Sequence, residues 1–118
     1  MKRHQRNPSK FLSKEDCDNE IVACIDRIET EQLKTRDGHT EKRTVCYFTN
    51  GQRPFVVNVG NWDTIAELYG DDDDVWGGQW ITLCHDPGVV FGGKRVGGIR
   101  VKPTVPDPEA IRLVEALY

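Results

Sequence analysis

Aromatic and cationic side chains occur together in two stretches of the chain. Residues 42–60 carry three bases and no acid, and residues 81–102 carry four bases and one acid. Single-stranded nucleic acids are bound by cations that follow the phosphates and by aromatic faces on which the bases stack. The candidate residues for such a site are Lys42, Arg43, Tyr47, Arg53, Phe55, Trp80, Phe91, Lys94, Arg95, Arg100 and Lys102.

The pair Lys94-Arg95 is the sharpest of these candidates. Glycines stand on both sides of the pair, so we expect a mobile hairpin whose two cations can close over a strand of nucleic acid. The other candidates also fit ordinary structural roles. Aromatic side chains on strands commonly belong to the core, and lysines and arginines commonly form a solvated surface.

Four consecutive aspartates, Asp71 to Asp74, could hold a hard cation or a basic partner. A calcium loop alternates its carboxylates and needs a glycine at its bend, and this run has neither feature. We therefore expect no metal there. We interpret the run as a solvated loop that repels nucleic acid from its side of the molecule, or that offers acids to a basic partner protein.

The sequence gives little support for a catalytic, zinc-binding or phosphate-binding motif. The three histidines fall outside any Ser/His/Asp or Cys/His motif, and Cys84 and His85 are strand neighbours that should face opposite sides. The cysteines lack the spacing of zinc ligands, and we expect Cys24, Cys46 and Cys84 to be small buried side chains on strands. The glycine pairs do not match a phosphate-binding loop. We expect a non-enzymatic protein without a cofactor or a metal.

The composition is that of one globular domain. The chain has 118 residues, 37% hydrophobic and 30% charged, with a net charge of −3, which fits the usual size of a single domain. Its apolar runs are all far shorter than the roughly 20 residues that span a bilayer. The basic N-terminus is not followed by the apolar segment of a secretory signal. We expect a cytoplasmic protein with no membrane partner.

The first half of the chain predicts three strands. The first is long and should be bent or bulged, so that it serves two parts of a sheet. The polar residues 29–42 predict a loop or the tip of a long hairpin, and Asn50-Gly51 predicts a type I′ turn. The strands are expected at residues 21–25 with Ile28, at 43–49 and at 53–59.

The second half predicts a helix, further strands and a final helix. Asn61 can cap the first helix, and Gly70 can end it. Asp107 and Pro108 suit the start of the final helix. The other elements expected are a strand over residues 79–85, a glycine-rich hairpin of 89–91 with 96–102, and the final helix over 109–117.

This order predicts a mainly β, OB-fold-like five-stranded Greek-key barrel with a helix between strands 3 and 4, an extra β-hairpin near strand 5 and a C-terminal helix. Trp76 is expected to plug or cover the barrel. The chain should divide into a flexible basic arm (1–10), the barrel (11–102) and a proline-spaced linker with the short helix (103–118). The helix docks either on the barrel or on a partner.

From about residue 9 to residue 102 the chain also resembles a family of small proteins encoded by phages and prophages. The resemblance rests on Lys10-Phe11-Leu12 with Asp16, Tyr47-Phe48, Val57-Asn58, the segment Ile65 to Gly70, Trp76-Gly77-Gly78 with Ile81 and Leu83, Phe91 to Lys94, and Gly98 to Val101. It implies an OB-like barrel acting in the cytoplasm of a bacterial host. Single-stranded DNA binding is the activity that it suggests.

Two functions therefore remain open. The first is non-enzymatic binding of single-stranded DNA or RNA through the aromatic and cationic residues. The second is a protein–protein interaction, in which a phage factor binds a host or phage protein through Asp71 to Asp74 or the C-terminal helix.

Overall fold

The computed structural model describes residues 10–34 and 37–117, and only the backbone of Phe91. These residues form a five-stranded antiparallel sheet, a separate two-stranded hairpin and two α-helices, so the mainly β class is confirmed. The elements are β1 (Ile21–Lys34), β2 (Thr40–Phe48), β3 (Phe55–Val57), α1 (Val59–Tyr69), β4 (Trp80–Asp86), β5 (Val90–Phe91), β6 (Lys94–Arg95), β7 (Gly98–Val101) and α2 (Pro108–Leu117), with 3-10 turns at Lys14–Cys17 and Asp73–Val75. The predicted basic arm lies, except for Lys10, outside the described residues.

The strand order in the sheet is β3-β2-β1-β4-β7. Its two end strands, β3 and β7, do not pair with each other in the described part of the chain, so the sheet is not a closed barrel there. Neither α-helix in the described ranges is long and apolar enough to cross a membrane.

Strand β1 belongs to both halves of the sheet. Its residues 21–24 pair with β4, and its residues 25–34 pair with β2. The register shifts between Ile25 and Arg27, which places a bulge at Asp26. Gly77 packs against this point, where a Cβ would lie 3.0 Å from the Asp26 carbonyl oxygen. The predicted bend is therefore confirmed.

The polar segment between the first two strands is a long hairpin. β1 continues to Lys34 and β2 begins at Thr40, so both strands are longer than predicted. Residues 44–46 of β2 pair with β3. Beyond that contact, no other described strand pairs with the hairpin. The β1–β2 hairpin therefore extends out of the sheet as a two-stranded ribbon.

The predicted type I′ turn at Asn50-Gly51 is wrong. That turn needs a positive φ at both central residues, and only Gly51 has one, at 83°. Asn50 is buried instead and reaches across to β1. Its side-chain oxygen accepts from the N–H of Cys24, and its amide nitrogen donates to the carbonyl of Val22, both at 3.5 Å. A contact with a distant strand therefore decides the conformation of this asparagine.

Helix α1 starts earlier than predicted. Its cap is Asn58, whose side-chain oxygen accepts from the N–H of Asn61 at 2.9 Å, and it ends at Gly70 as predicted. Asn61 lies inside the first turn and is 1% exposed. Its amide donates to the Ile99 carbonyl at 2.9 Å and accepts from the Val101 N–H at 3.0 Å. The Asn61 side chain therefore supplies hydrogen-bond partners for two backbone groups on the edge of β7 that faces away from β4.

Trp76 fills the centre of the core, as predicted. It is 0% exposed, and its indole N–H donates to the Gly70 carbonyl at 2.9 Å. Its ring lies 4.5 Å from that of Trp62 on α1, at an angle of 54°. Both halves of the sheet contribute to the surrounding core, which includes Ile25, Cys46, Phe55, Ile65, Ile81 and Leu83.

The glycine-rich hairpin is shorter than predicted. β5 pairs with β6, and the Val89 carbonyl accepts from the N–H groups of Val96 and Gly97 at 2.9 and 3.1 Å, so the predicted hairpin is present. Its predicted extension is wrong, because residues 98–101 form β7 and pair with β4. Gly92 and Gly93 make the turn with φ values of 63° and 80°, which glycine adopts without strain.

Helix α2 contacts β1, so it docks on the protein's own sheet. Asp107 caps the helix as predicted, since its carboxylate accepts from the N–H of Glu109 at 2.9 Å. Leu113 and Leu117 are 70% and 77% exposed. The half-buried residues of the helix are Ala110, Ile111 and Val114.

Candidate nucleic-acid interface

Of the predicted stacking residues, Phe55 is buried in the core and Trp80 is only half-buried. Phe55 is 2% exposed, because its pairing opposite Cys46 puts it on the core side of the sheet. Its ring is therefore not accessible to a base. Trp80 is half-buried at the start of β4, next to a pocket of about 510 Å³ that Glu115 of α2 also lines. The side chain of Phe91 lies outside the described part.

Tyr47 faces away from the core, and cations cover its ring. The guanidinium carbon of Arg27 lies 4.1 Å from the ring centroid and the ammonium of Lys10 lies 5.9 Å from it, which are cation–π distances. The hydroxyl donates to Glu31, and this hydrogen bond is the main cause of the raised pKa of Tyr47. A base could stack on this face of Tyr47 only after displacing Arg27.

Four of the predicted phosphate-binding cations form ion pairs with carboxylates. Glu20 raises the pKa of Lys102 through a hydrogen bond. Exposed pairs of this kind are worth about 0–1 kcal/mol, but each one cancels the positive charge that would attract a phosphate. The pairs are Arg43–Glu41 at 2.7 Å, Arg53–Asp16 at 2.7 Å, Arg100–Asp86 at 3.2 Å and Lys102–Glu20 at 2.7 Å.

The three remaining predicted cations are Lys42, Lys94 and Arg95. All three are exposed, and none forms an ion pair within residues 10–34 and 37–117. Lys94 and Arg95 are consecutive on β6, so the β5–β6 hairpin, which follows β4 and precedes β7 along the chain, carries two adjacent cations. The structure therefore concentrates uncompensated positive charge at this hairpin.

The aspartate run lies elsewhere in the fold. Asp72 caps the 3-10 turn Asp73–Val75 by accepting from the N–H of Asp74 at 3.0 Å. The side chains of Asp72, Asp73 and Asp74 come within 4.8 Å of one another. Asp26 and Arg27 of β1 share a small pocket with two of them. The expectation of a solvated, metal-free loop stays a prediction.

The thiols and His85 do not assemble a nucleophilic site among the described residues. The ring of His85 contacts Asp18, with Nδ1 2.5 Å from the carboxylate. Burial raises the pKa of Cys17 to about 11 and that of Cys46 to about 12, so both stay protonated at neutral pH. Cys17, Cys24 and Cys46 are buried and Cys84 is half-buried.

Sequence reasoning missed the residues that cover Tyr47. Lys10 and Glu31 form an ion pair at 3.6 Å beside its ring, and Arg27 lies over it. The signal was the alternation of residues 27–33, which extends β1 with Arg27, Glu29 and Glu31 on one face. Arg27, Glu29 and Glu31 are all charged, and most of residues 27–33 are polar, so the sequence alone does not distinguish this part of the strand from a polar loop.

No protein-family model, no curated protein and no solved structure matches this chain. The function must therefore be inferred from the geometry and chemistry of its own residues.

Proposed function

We propose that this protein is an OB-type module that binds single-stranded DNA without enzymatic activity, in the cytoplasm of a phage-infected or prophage-carrying bacterium. The order β3-β2-β1-β4-β7, with α1 between the third and fourth strands of the sheet, supports this proposal. An OB barrel opened between its third and fifth strands would have the same strand order. The relationship to small phage proteins is part of the same proposal.

The observation that carries the proposal is the cationic β5–β6 hairpin. It connects the fourth and fifth strands of the sheet, and OB-folds use the loop at this position to bind oligonucleotides. Lys94 and Arg95 are exposed there without a carboxylate partner in the described ranges. The aspartate run is on a different loop, between α1 and β4. Within the described ranges, none of its carboxylates forms an ion pair with Lys94 or Arg95.

The test is a fluorescence-anisotropy titration of labelled oligo-dT at low salt. We expect the double variant Lys94→Ala/Arg95→Ala to bind more weakly and to lose about 1.4 from the slope of log affinity against log salt, since each phosphate contact on a single strand contributes about 0.7. The matched control is Arg100→Ala/Lys102→Ala, which loses two cations that are already paired with Asp86 and Glu20. Absence of binding by the wild-type protein up to high micromolar concentration would refute the proposal.

A second candidate function is binding of a protein partner through α2. It is favoured by the exposure of Leu113 and Leu117, one helical turn apart. A pull-down from host lysate should lose its partner in Leu113→Glu/Leu117→Glu and keep it in Arg112→Gln, an exposed change on the same helix. Equal recovery by all three proteins would count against this function.

A further inference from the structure

The β1–β2 ribbon has two chemically different faces. Directly opposite residues in an antiparallel pair share a face, and the face alternates at each step. One set of pairs is Thr30 with Thr44, Gln32 with Lys42, and Lys34 with Thr40. The other set is Glu29 with Val45, Glu31 with Arg43, and Leu33 with Glu41.

We call the first set the lysine face. It holds two lysines, three threonines and a glutamine, and no acid. Neither Lys34 nor Lys42 forms an ion pair within the part of the chain that the structure describes. Five of the six side chains are exposed and Thr44 is half-buried. The lysine face is therefore positive, solvated and rich in hydrogen-bonding groups.

The opposite face carries the acids. Glu29, Glu31 and Glu41 project there, together with Arg27 and Arg43, which are paired with acidic neighbours. The ribbon thus separates its charges by face, although the sequence mixes them residue by residue. A phosphate backbone would be attracted by one face and not by the other.

An aromatic pocket lies at the base of the lysine face. Thr44, the last residue of that face, lines a pocket of about 160 Å³ with Val57, Val59 and Trp62. Trp62 is half-buried, and Val59, which also lines the pocket, is 78% exposed. The residues that line this pocket are uncharged. From Thr44 to Thr40 the lysine face runs for about 14 Å, at roughly 3.4 Å per residue.

We propose that the lysine face and the Trp62 pocket form one binding track for single-stranded DNA, an inference that rests on the proposed function. Lys34 and Lys42 contact phosphates, Gln32 and the threonines hydrogen-bond to bases or sugars, and a terminal or unstacked base packs against Trp62. Such a track has the two components that sequence-tolerant single-strand binding needs, a cationic path and a stacking surface. It lies apart from the β5–β6 hairpin in the chain and adds a second contact region.

The first test compares a lysine variant with an arginine variant by anisotropy with labelled oligo-dT. The lysine variant, Lys34→Gln/Lys42→Gln, loses two positive charges, and the arginine variant, Arg112→Glu, exchanges one positive charge for a negative one, so both change the net charge from −3 to −5. Arg112 is exposed on α2 and lies outside the proposed track. We expect the lysine variant to lose on the order of tenfold in affinity at low salt and about 1.4 from the salt slope. The arginine variant should stay within about twofold of the wild type.

The second test locates the base contact. In two-dimensional NMR spectra of the full chain, oligo-dT should shift the indole N–H of Trp62 and the amides of Gln32 and Thr44, with the indole signal assigned through Trp62→Phe. Shifts confined to the opposite face or to the β5–β6 hairpin would overturn this inference. So would equal binding by the lysine variant and the arginine variant, or tighter binding of duplex DNA through the same lysines. Absence of wild-type binding would instead refute the proposed function itself.

Discussion

Replacement of Asn61 by alanine should destabilise the protein far more than loss of an ordinary helix residue. Its side chain makes two hydrogen bonds to β7, with the Ile99 carbonyl and the Val101 N–H, and is 1% exposed. A buried hydrogen bond contributes about 1 kcal/mol, and a buried donor left without a partner costs a further 1–3 kcal/mol or so. Val101 is itself buried, so water cannot readily replace the amide. The two lost hydrogen bonds and the unpaired donor together give an expected loss of about 3–5 kcal/mol.

The measurement is urea unfolding at 25 °C, followed by circular dichroism. Asn58→Ala is the matched control, because it removes one hydrogen bond at the cap of the same helix and should cost about 1 kcal/mol. Asn61→Asp adds a further arm. Its protonated carboxyl can both donate to Ile99 and accept from Val101, whereas its carboxylate cannot donate. The loss in free energy of unfolding relative to the wild type should therefore be smaller at pH 4 than at pH 7.

The reasoning would be refuted if Asn61→Ala lost no more free energy of unfolding than Asn58→Ala. That result would mean that the edge of β7 finds another partner when the amide is removed. A change in the urea m-value without a change in the midpoint would also contradict it, since the expected effect is on stability and not on the surface exposed on unfolding.

Two further expectations concern thiol reactivity and close packing. At pH 8 iodoacetamide should label Cys84 before Cys46, because Cys46 is fully buried and burial raises its pKa to about 12. Peptide mass spectrometry measures the order of labelling, and equal labelling rates would contradict this expectation. Gly97→Ala should lower the unfolding midpoint more than Gly93→Ala. Both positions have a positive φ, at 76° and 80°, and share a backbone cost of about 1–2 kcal/mol, but only at 97 would the new Cβ lie 2.8 Å from Nε2 of His85. Equal shifts in thermal melts would show that the histidine ring moves aside freely.

The elements that the sequence predicted best depend on local chemistry. Gly70 ends α1 and Asp107 caps α2, because a cap acts on the few residues beside it. The burial of Trp76 was also predictable, since a large aromatic residue between a helix and a strand in a small domain has few other places to go.

The parts that the sequence could not supply depend on distant partners. Asn50 looked like a turn residue, but its amide bonds to Val22 and Cys24 far away in the chain. The same holds for the candidate site. Arg100 and Lys102 read as phosphate ligands, yet folding brings Asp86 and Glu20 against them. Such pairings are set by strand register, which alternation alone does not determine.

The sharing of β1 between both halves of the sheet also bears on how the chain folds. β1 with β2, and β4 with β7, can each form from neighbouring segments, and such local pairings are fast. The union of the two halves needs β1 to meet β4 across the whole of β2, β3 and α1, which carries the largest loss of chain entropy. The bulge at Asp26 is the point at which the two pairings adjoin. We therefore expect the docking of β4 beside this bulge to set the folding rate, after the β1–β2 and β4–β7 pairs have formed.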